Sequence, residues 1–81
     1  MTLGEAIRIL RQKTLFTQQD FAQELNVALS TVNRWELNKA KPNMKAMKSI
    51  RVFCNENGLD YEIIENEWMN LNSKNTDGKN R

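Results

Sequence analysis

Histidine is missing from this chain, and cysteine occurs once, at Cys54. Those absences remove most of the reactive chemistry a small protein can carry. No set of imidazoles and thiolates can hold zinc, no cysteine pair can close a disulfide, and no Cys/His or Ser/His nucleophile–base pair can be assembled. An enzyme is therefore not expected, and neither is a metal or any other cofactor. Cys54 reads as a small buried apolar residue, which fits a reducing compartment. Long apolar runs are lacking too. None could span a bilayer, and the N-terminus has no signal-peptide core, so a cytoplasmic location without membrane contact is expected. The part that reads as folded has no internal repeat and no low-complexity linker. With 81 residues, the expectation is one small domain and no separate effector module.

What is present is a helical pattern and an uneven charge. An apolar fraction of 40% can supply a compact core of modest stability. The formal net charge is +2, but residues 1–54 carry nine Lys/Arg against four Asp/Glu, while residues 55–81 carry three against six. A basic body at +5 and an acidic C-terminal part at −3 suggest two surfaces with different partners.

Thr2 and Glu5 form a capping box that opens a first helix to about Lys13, with Leu3, Ala6, Ile7 and Leu10 as its buried stripe. Thr17 caps a second helix, with Asp20 three residues on and a hydrophobic staple between Phe16 and Phe21. Phe21, Ala22 and Leu25 mark its buried side, and Asn26 suits a left-handed exit. In the next helix Ala28, Val32 and Trp35 share one face, while Ser30, Asn33 and Arg34 point the opposite way. Asn38 suits a second left-handed turn, Pro42 forbids helix at Lys41, and Asn43 caps a fourth helix to about Asn57. Met44, Met47, Ile50, Phe53 and Cys54 are expected on its inner face. Gly58 ends it, and Asp60 caps a fifth helix from Tyr61 to about Leu71. The fold class is all-α, a bundle of five short helices with the first four around one core. The expected domain is 1–71, with its core in 2–57, the fifth helix at about 60–71, and a polar, disordered tail over 72–81.

The residues Thr17-Gln18, Phe21-Ala22, Leu25, Val27, Thr31-Val32 and Arg34-Trp35-Glu36 resemble the helix-turn-helix of the lambda-repressor/Cro-like (XRE-type) family. The resemblance runs from Leu3 to Cys54 and makes the second and third helices the motif. It implies sequence-specific binding of double-stranded DNA, with the third helix in the major groove. Leu29, Ser30, Asn33 and Arg34 stand at the family's base-reading positions. Arg34 suits guanine, Asn33 adenine, and Leu29 the thymine methyl. Thr17, Gln18 and Thr31 stand at phosphate-contacting positions, and the N-terminus of the second helix suits a phosphate. Arg11 reads as a phosphate contact or, by the resemblance, as the ion-pair partner of Glu36. Leu37 replaces an Asn that often binds phosphate in the family. Lys39 and Lys41 would supply that charge or would be solvent-exposed loop lysines, and Lys45 lies nearest the expected DNA surface. Leu29 and Ala28 also depart from the polar residues common there, so the target should differ from those of well-known members.

Tyr61, Ile64, Trp68 and Leu71 recur at intervals of three, four and three residues, flanked by Glu62, Glu65 and Glu67. This seam is expected to make a homodimer that reads a palindromic operator, the alternative being that it packs on its own domain. Three functions stay open from the sequence: a repressor-like transcriptional regulator, an antitoxin whose acidic fifth helix or tail binds a toxin, and a protein-interaction adaptor using the same fold.

Overall fold

Local capping chemistry sets each helix in place. A computed structural model describes the backbone of residues 1–80 and the side chains of residues 1–71. Its elements are α1 (Leu3–Lys13), α2 (Gln18–Leu25), α3 (Leu29–Glu36), α4 (Met44–Glu56) and α5 (Glu62–Asn80). The fifth helix, expected to end near Leu71, is drawn on to Asn80. The polar tail expected over 72–81 lies outside the residues described with side chains.

Thr2 Oγ1 accepts the Glu5 N–H at 3.1 Å, and Glu5 Oε1 accepts the Thr2 N–H at 2.9 Å. The backbone N–H of Thr2 holds the Glu5 carboxyl below the usual carboxylate range. The same reciprocal box joins Thr17 and Asp20 at the start of α2, at 3.0 and 3.1 Å. Asn43 Oδ1 accepts the Ala46 N–H at 2.8 Å and opens α4.

Three helix exits share one device. Asn26, Asn38 and Gly58 adopt positive φ of 59°, 60° and 65°. In each case the next residue donates its N–H five positions back: Val27 to Ala22 O, Lys39 to Arg34 O and Leu59 to Cys54 O, at 2.8–2.9 Å. Leu15 is a fourth left-handed residue, at φ 62°, and nothing in the residue pattern points to it. Its side chain is 91% exposed, so the chain carries local backbone strain there with no packing gain from Leu15 itself.

The core takes Leu3, Ala6, Ile7 and Leu10 from α1, Phe21, Ala22 and Leu25 from α2, and Val32 and Trp35 from α3. From α4 it takes Ala46, Met47, Ile50, Phe53 and Cys54. Phe53 joins the layers, since Phe16 and Phe21 each meet its ring edge-on, with centroids 5.6 and 5.1 Å apart. The apolar support expected between Phe16 and Phe21 thus includes Phe53. Burial pushes the Cys54 thiol up to about 11, with Asp60 adding to the shift, which leaves it inert near neutral pH.

Two residues expected inside lie outside. Ala28 is exposed because it is the extended N-cap of α3, ahead of the first turn, where helical periodicity does not apply. Met44 is 64% exposed because it begins α4, and Ala46 fills the inward position instead.

The fifth helix corrects the four-helix core. Ile64 is 1% exposed and belongs to the same core cluster, against which Tyr61 and Trp68 are packed. Trp68 Nε1 donates to the Pro42 carbonyl at 2.7 Å, and Pro42 is itself fully buried. The expected seam between copies is therefore turned onto its own domain at Tyr61, Ile64 and Trp68, because α5 folds back along α1 and over the loop after α3. Leu71 alone of the four stays exposed. Among the described residues, no helix is long and apolar enough to cross a membrane.

Candidate nucleic-acid interface

The short α3 is held from both sides. Val32 and Trp35 bury one face, and Leu29, Ser30, Asn33 and Arg34 stand exposed on the other, where 3.6-residue periodicity puts them. Leu29 is 44% exposed, so a large apolar side chain sits among the polar ones. Ala28 supplies no side-chain cap, which leaves first-turn N–H groups of α3 for water or an anion. Thr31 is half-buried, Lys41 lines a shallow cleft together with Ala28, Thr31 and Arg34, and Lys39, Lys41 and Lys45 are exposed.

Gly4 fixes the opposite side. A Cβ there would come within 2.6 Å of the Trp35 carbonyl oxygen and 2.8 Å of the Glu36 one. Only glycine lets the first turn of α1 approach the end of α3 so closely. The Gly4 N–H donates to Asn38 Oδ1 at 2.9 Å, and Asn38 Nδ2 donates to Thr2 Oγ1 at 3.1 Å. Asn38 thus makes the left-handed turn and also ties the end of α3 to the start of α1. A glycine in the first turn of a capped helix was the available signal, since it costs helix stability unless packing requires it.

Arg11 and Glu36 form the structural core of the site. Arg11 Nε and Nη2 donate to the two Glu36 carboxylate oxygens at 2.7 and 3.0 Å, and Nη1 donates to Phe16 O at 2.9 Å. The bond to Glu36 raises the Arg11 pKa. Glu36 is 8% exposed and also accepts from Gln18 Nε2 at 3.0 Å. Arg11 is therefore committed to the ion pair, and its alternative reading as a phosphate contact is set aside by this geometry.

The N-terminus of α2 lies beside this network. The Thr17 and Asp20 N–H groups are taken up by their capping box, so those of Gln18 and Gln19 remain at the helix start. Half-buried Gln18 bridges inward to Glu36 and outward to Asn33, whose Nδ2 donates to Gln18 Oε1 at 3.4 Å. Arg34 Nη2 reaches back to Lys39 O at 3.4 Å, a long single contact that leaves most of its donors available. The structure thus brings Thr17, Gln18, Asn33 and Glu36 together along one edge. Sequence reasoning paired Arg11 with Glu36 but missed Gln18 as the link from that pair to Asn33.

A family model described as helix-turn-helix matches residues 7–60. A curated relative, the HTH-type transcriptional activator BcrR of Enterococcus faecalis, is 34% identical over 53 residues, which cover 65% of this chain and 26% of that protein. The chain thus spans about a quarter of that relative's length. No solved structure matches significantly. With its all-helical, lambda-repressor-like fold, the chain belongs to the XRE-type helix-turn-helix family.

Proposed function

We propose that the chain binds double-stranded DNA in a sequence-specific manner and regulates transcription by occupying its site. The carrying observation is α3 itself: one face locked into the core, and Leu29, Ser30, Asn33 and Arg34 presented together on the other. A guanidinium, an amide, a hydroxyl and an apolar contact on one helix suit base edges in a major groove. Thr17, Gln18, Thr31, Lys39, Lys41 and Lys45 are the candidate phosphate contacts, which would position the helix without specifying sequence. The relative's printed role as an activator supports a regulatory reading but not the repressor leaning of the sequence. Occupancy serves either sign, by blocking or by assisting polymerase, and needs no catalytic step.

A palindromic operator would call for two copies about 34 Å apart. With Ile64 and Trp68 turned inward, pairing would have to use a face other than the expected seam. The antitoxin reading drew on the acidic fifth helix or the tail, and of that helix's apolar seam Leu71 is the residue left exposed.

Salt dependence tests the phosphate ring. Affinity should fall steeply with salt, and removing one phosphate interaction should flatten the log–log slope by about 0.9. Replacing Lys39 and Lys41 with Gln should therefore reduce the slope by roughly 1–2. A slope unchanged from the wild type would place both lysines off the DNA.

A further inference from the structure

The exit of α4 differs from the two other left-handed helix exits. At Asn26 and Asn38 the left-handed residue also donates its own N–H, to Gln23 O and Trp35 O, at 3.1 and 3.0 Å. Gly58 takes the same conformation, at φ 65°, and Leu59 closes the same loop onto Cys54 O. Yet the Gly58 N–H meets no acceptor among the described residues. Gly58 is exposed, and a Cβ built on it would meet nothing within 4 Å, so water reaches this nitrogen freely. The residue before it is Asn57, also exposed, and theirs is the one Asn-Gly pair in the chain. A carboxamide carbon is thus followed by an unhindered backbone nitrogen whose proton is held by no protein group.

We propose that Asn57 is a site of spontaneous deamidation, gated by opening of the last turn of α4, and that its products loosen α5. The Gly58 nitrogen attacks Asn57 Cγ, and the side-chain amide nitrogen leaves as ammonia, taking the glycine proton with it. Water then opens the cyclic imide at one of its two carbonyls. One opening gives an aspartate, the other an isoaspartate whose backbone runs through Cβ. The folded turn opposes ring closure in two ways. Asn57 Nδ2 donates to Phe53 O at 2.8 Å, and a ψ of 8° turns the Gly58 nitrogen toward the Asn57 nitrogen rather than toward Cβ. Helix ends open more readily than cores, so the reaction draws on that local opening. Neither product remakes the same turn. A carboxylate cannot donate to Phe53 O, and it adds negative charge at the negative end of the helix, in a stretch that already holds Glu56 and Asp60. The extra backbone atom of isoaspartate shifts the Leu59 N–H relative to Cys54 O. The chain enters α5 a few residues later, and through Trp68 that helix holds the Pro42 carbonyl.

The test incubates the full chain in weakly alkaline buffer, with and without denaturant, and follows each asparagine by peptide mass mapping. The folded protein should exchange NH₂ for OH at Asn57, while Asn26 and Asn38, followed by Val27 and Lys39, stay intact. Denaturant should speed the reaction at Asn57 at least roughly tenfold, because it removes the need for local opening. Asn57→Gln, which would have to close a larger ring, should show no reaction there. Asn57→Asp stands in for the simpler product. It should lower the thermal midpoint by about 4–8 °C, the shift that one lost hydrogen bond brings to a domain of this size. Hydrogen exchange at the Trp68 indole N–H should quicken in the same variant. An Asn57 that stays intact in the folded protein while the denatured chain reacts would overturn the proposed site. Equal rates in the two conditions would overturn its gating. Either an unchanged midpoint or an unchanged Trp68 exchange rate in Asn57→Asp would overturn the effect on α5.

Discussion

Replacing Arg11 with alanine should destabilise the domain by about 3–5 kcal/mol, the range for breaking a buried ion pair from one side. Glu36, whose side chain is 4% exposed in the intact domain, would then keep Gln18 as its hydrogen-bond partner. Small domains are stable by about 5–15 kcal/mol, so such a loss would consume much of the total. The cost comes from stranding Glu36 rather than from the net worth of the pair. A double replacement, Arg11→Met with Glu36→Leu, should therefore recover most of the stability while losing the orientation of Gln18. Denaturant midpoints at an unchanged slope give the measurement. A loss below about 1 kcal/mol for Arg11→Ala would mean that water screens the pair as it does at a surface.

The second large effect is expected at Trp68. Truncating a buried tryptophan to alanine costs about 3–5 kcal/mol, and a half-buried one should fall at or below the lower end of that range. Trp68→Phe keeps an aromatic ring, though a smaller one, and abandons the 2.7 Å bond to Pro42 O, which alone costs about 1 kcal/mol. Since Trp68 clamps the loop that follows α3, Trp68→Ala should loosen Lys39 and Lys41 as well as lower the unfolding midpoint. This loss is intramolecular, so it should not depend on protein concentration. Unchanged stability in Trp68→Ala, together with a wild-type midpoint that rises with concentration, would return the seam to an interface between copies.

The parts of this fold legible in the sequence were those governed by neighbours in the chain. Capping boxes at Thr2 and Thr17, the Asn43 cap and left-handed exits at Asn26, Asn38 and Gly58 depend on residues within a turn of one another. Helical periodicity found the inner faces of α1 and α2, and failed at Ala28 and Met44, where the helix had not yet begun or had only just begun. The long-range choices were harder. An apolar seam on a helix looks the same whether a second copy covers it or the helix's own domain does, and only the fold-back over Pro42 decides for α5. Gly4 was passed over because its role is defined by the Trp35 and Glu36 carbonyls, some thirty residues away. Leu15 carried no signal at all, since leucine has no preference for the left-handed region it occupies. In the site, exposure and spacing along α3 were readable, and the family resemblance paired Arg11 with Glu36. The continuation through Gln18 to Asn33 needed three helices placed together.

The central claim is that α3 reads base sequence. Its most direct test compares the wild type and Arg34→Ala on a selected duplex and on a scrambled duplex of the same composition, by fluorescence anisotropy at one fixed salt concentration. The wild type should bind the selected duplex at least about a thousandfold more tightly. Arg34→Ala should lose about 1–3 kcal/mol on the selected duplex and much less on the scrambled one. Equal wild-type affinity for the two duplexes, or equal losses on both in Arg34→Ala, would contradict the account.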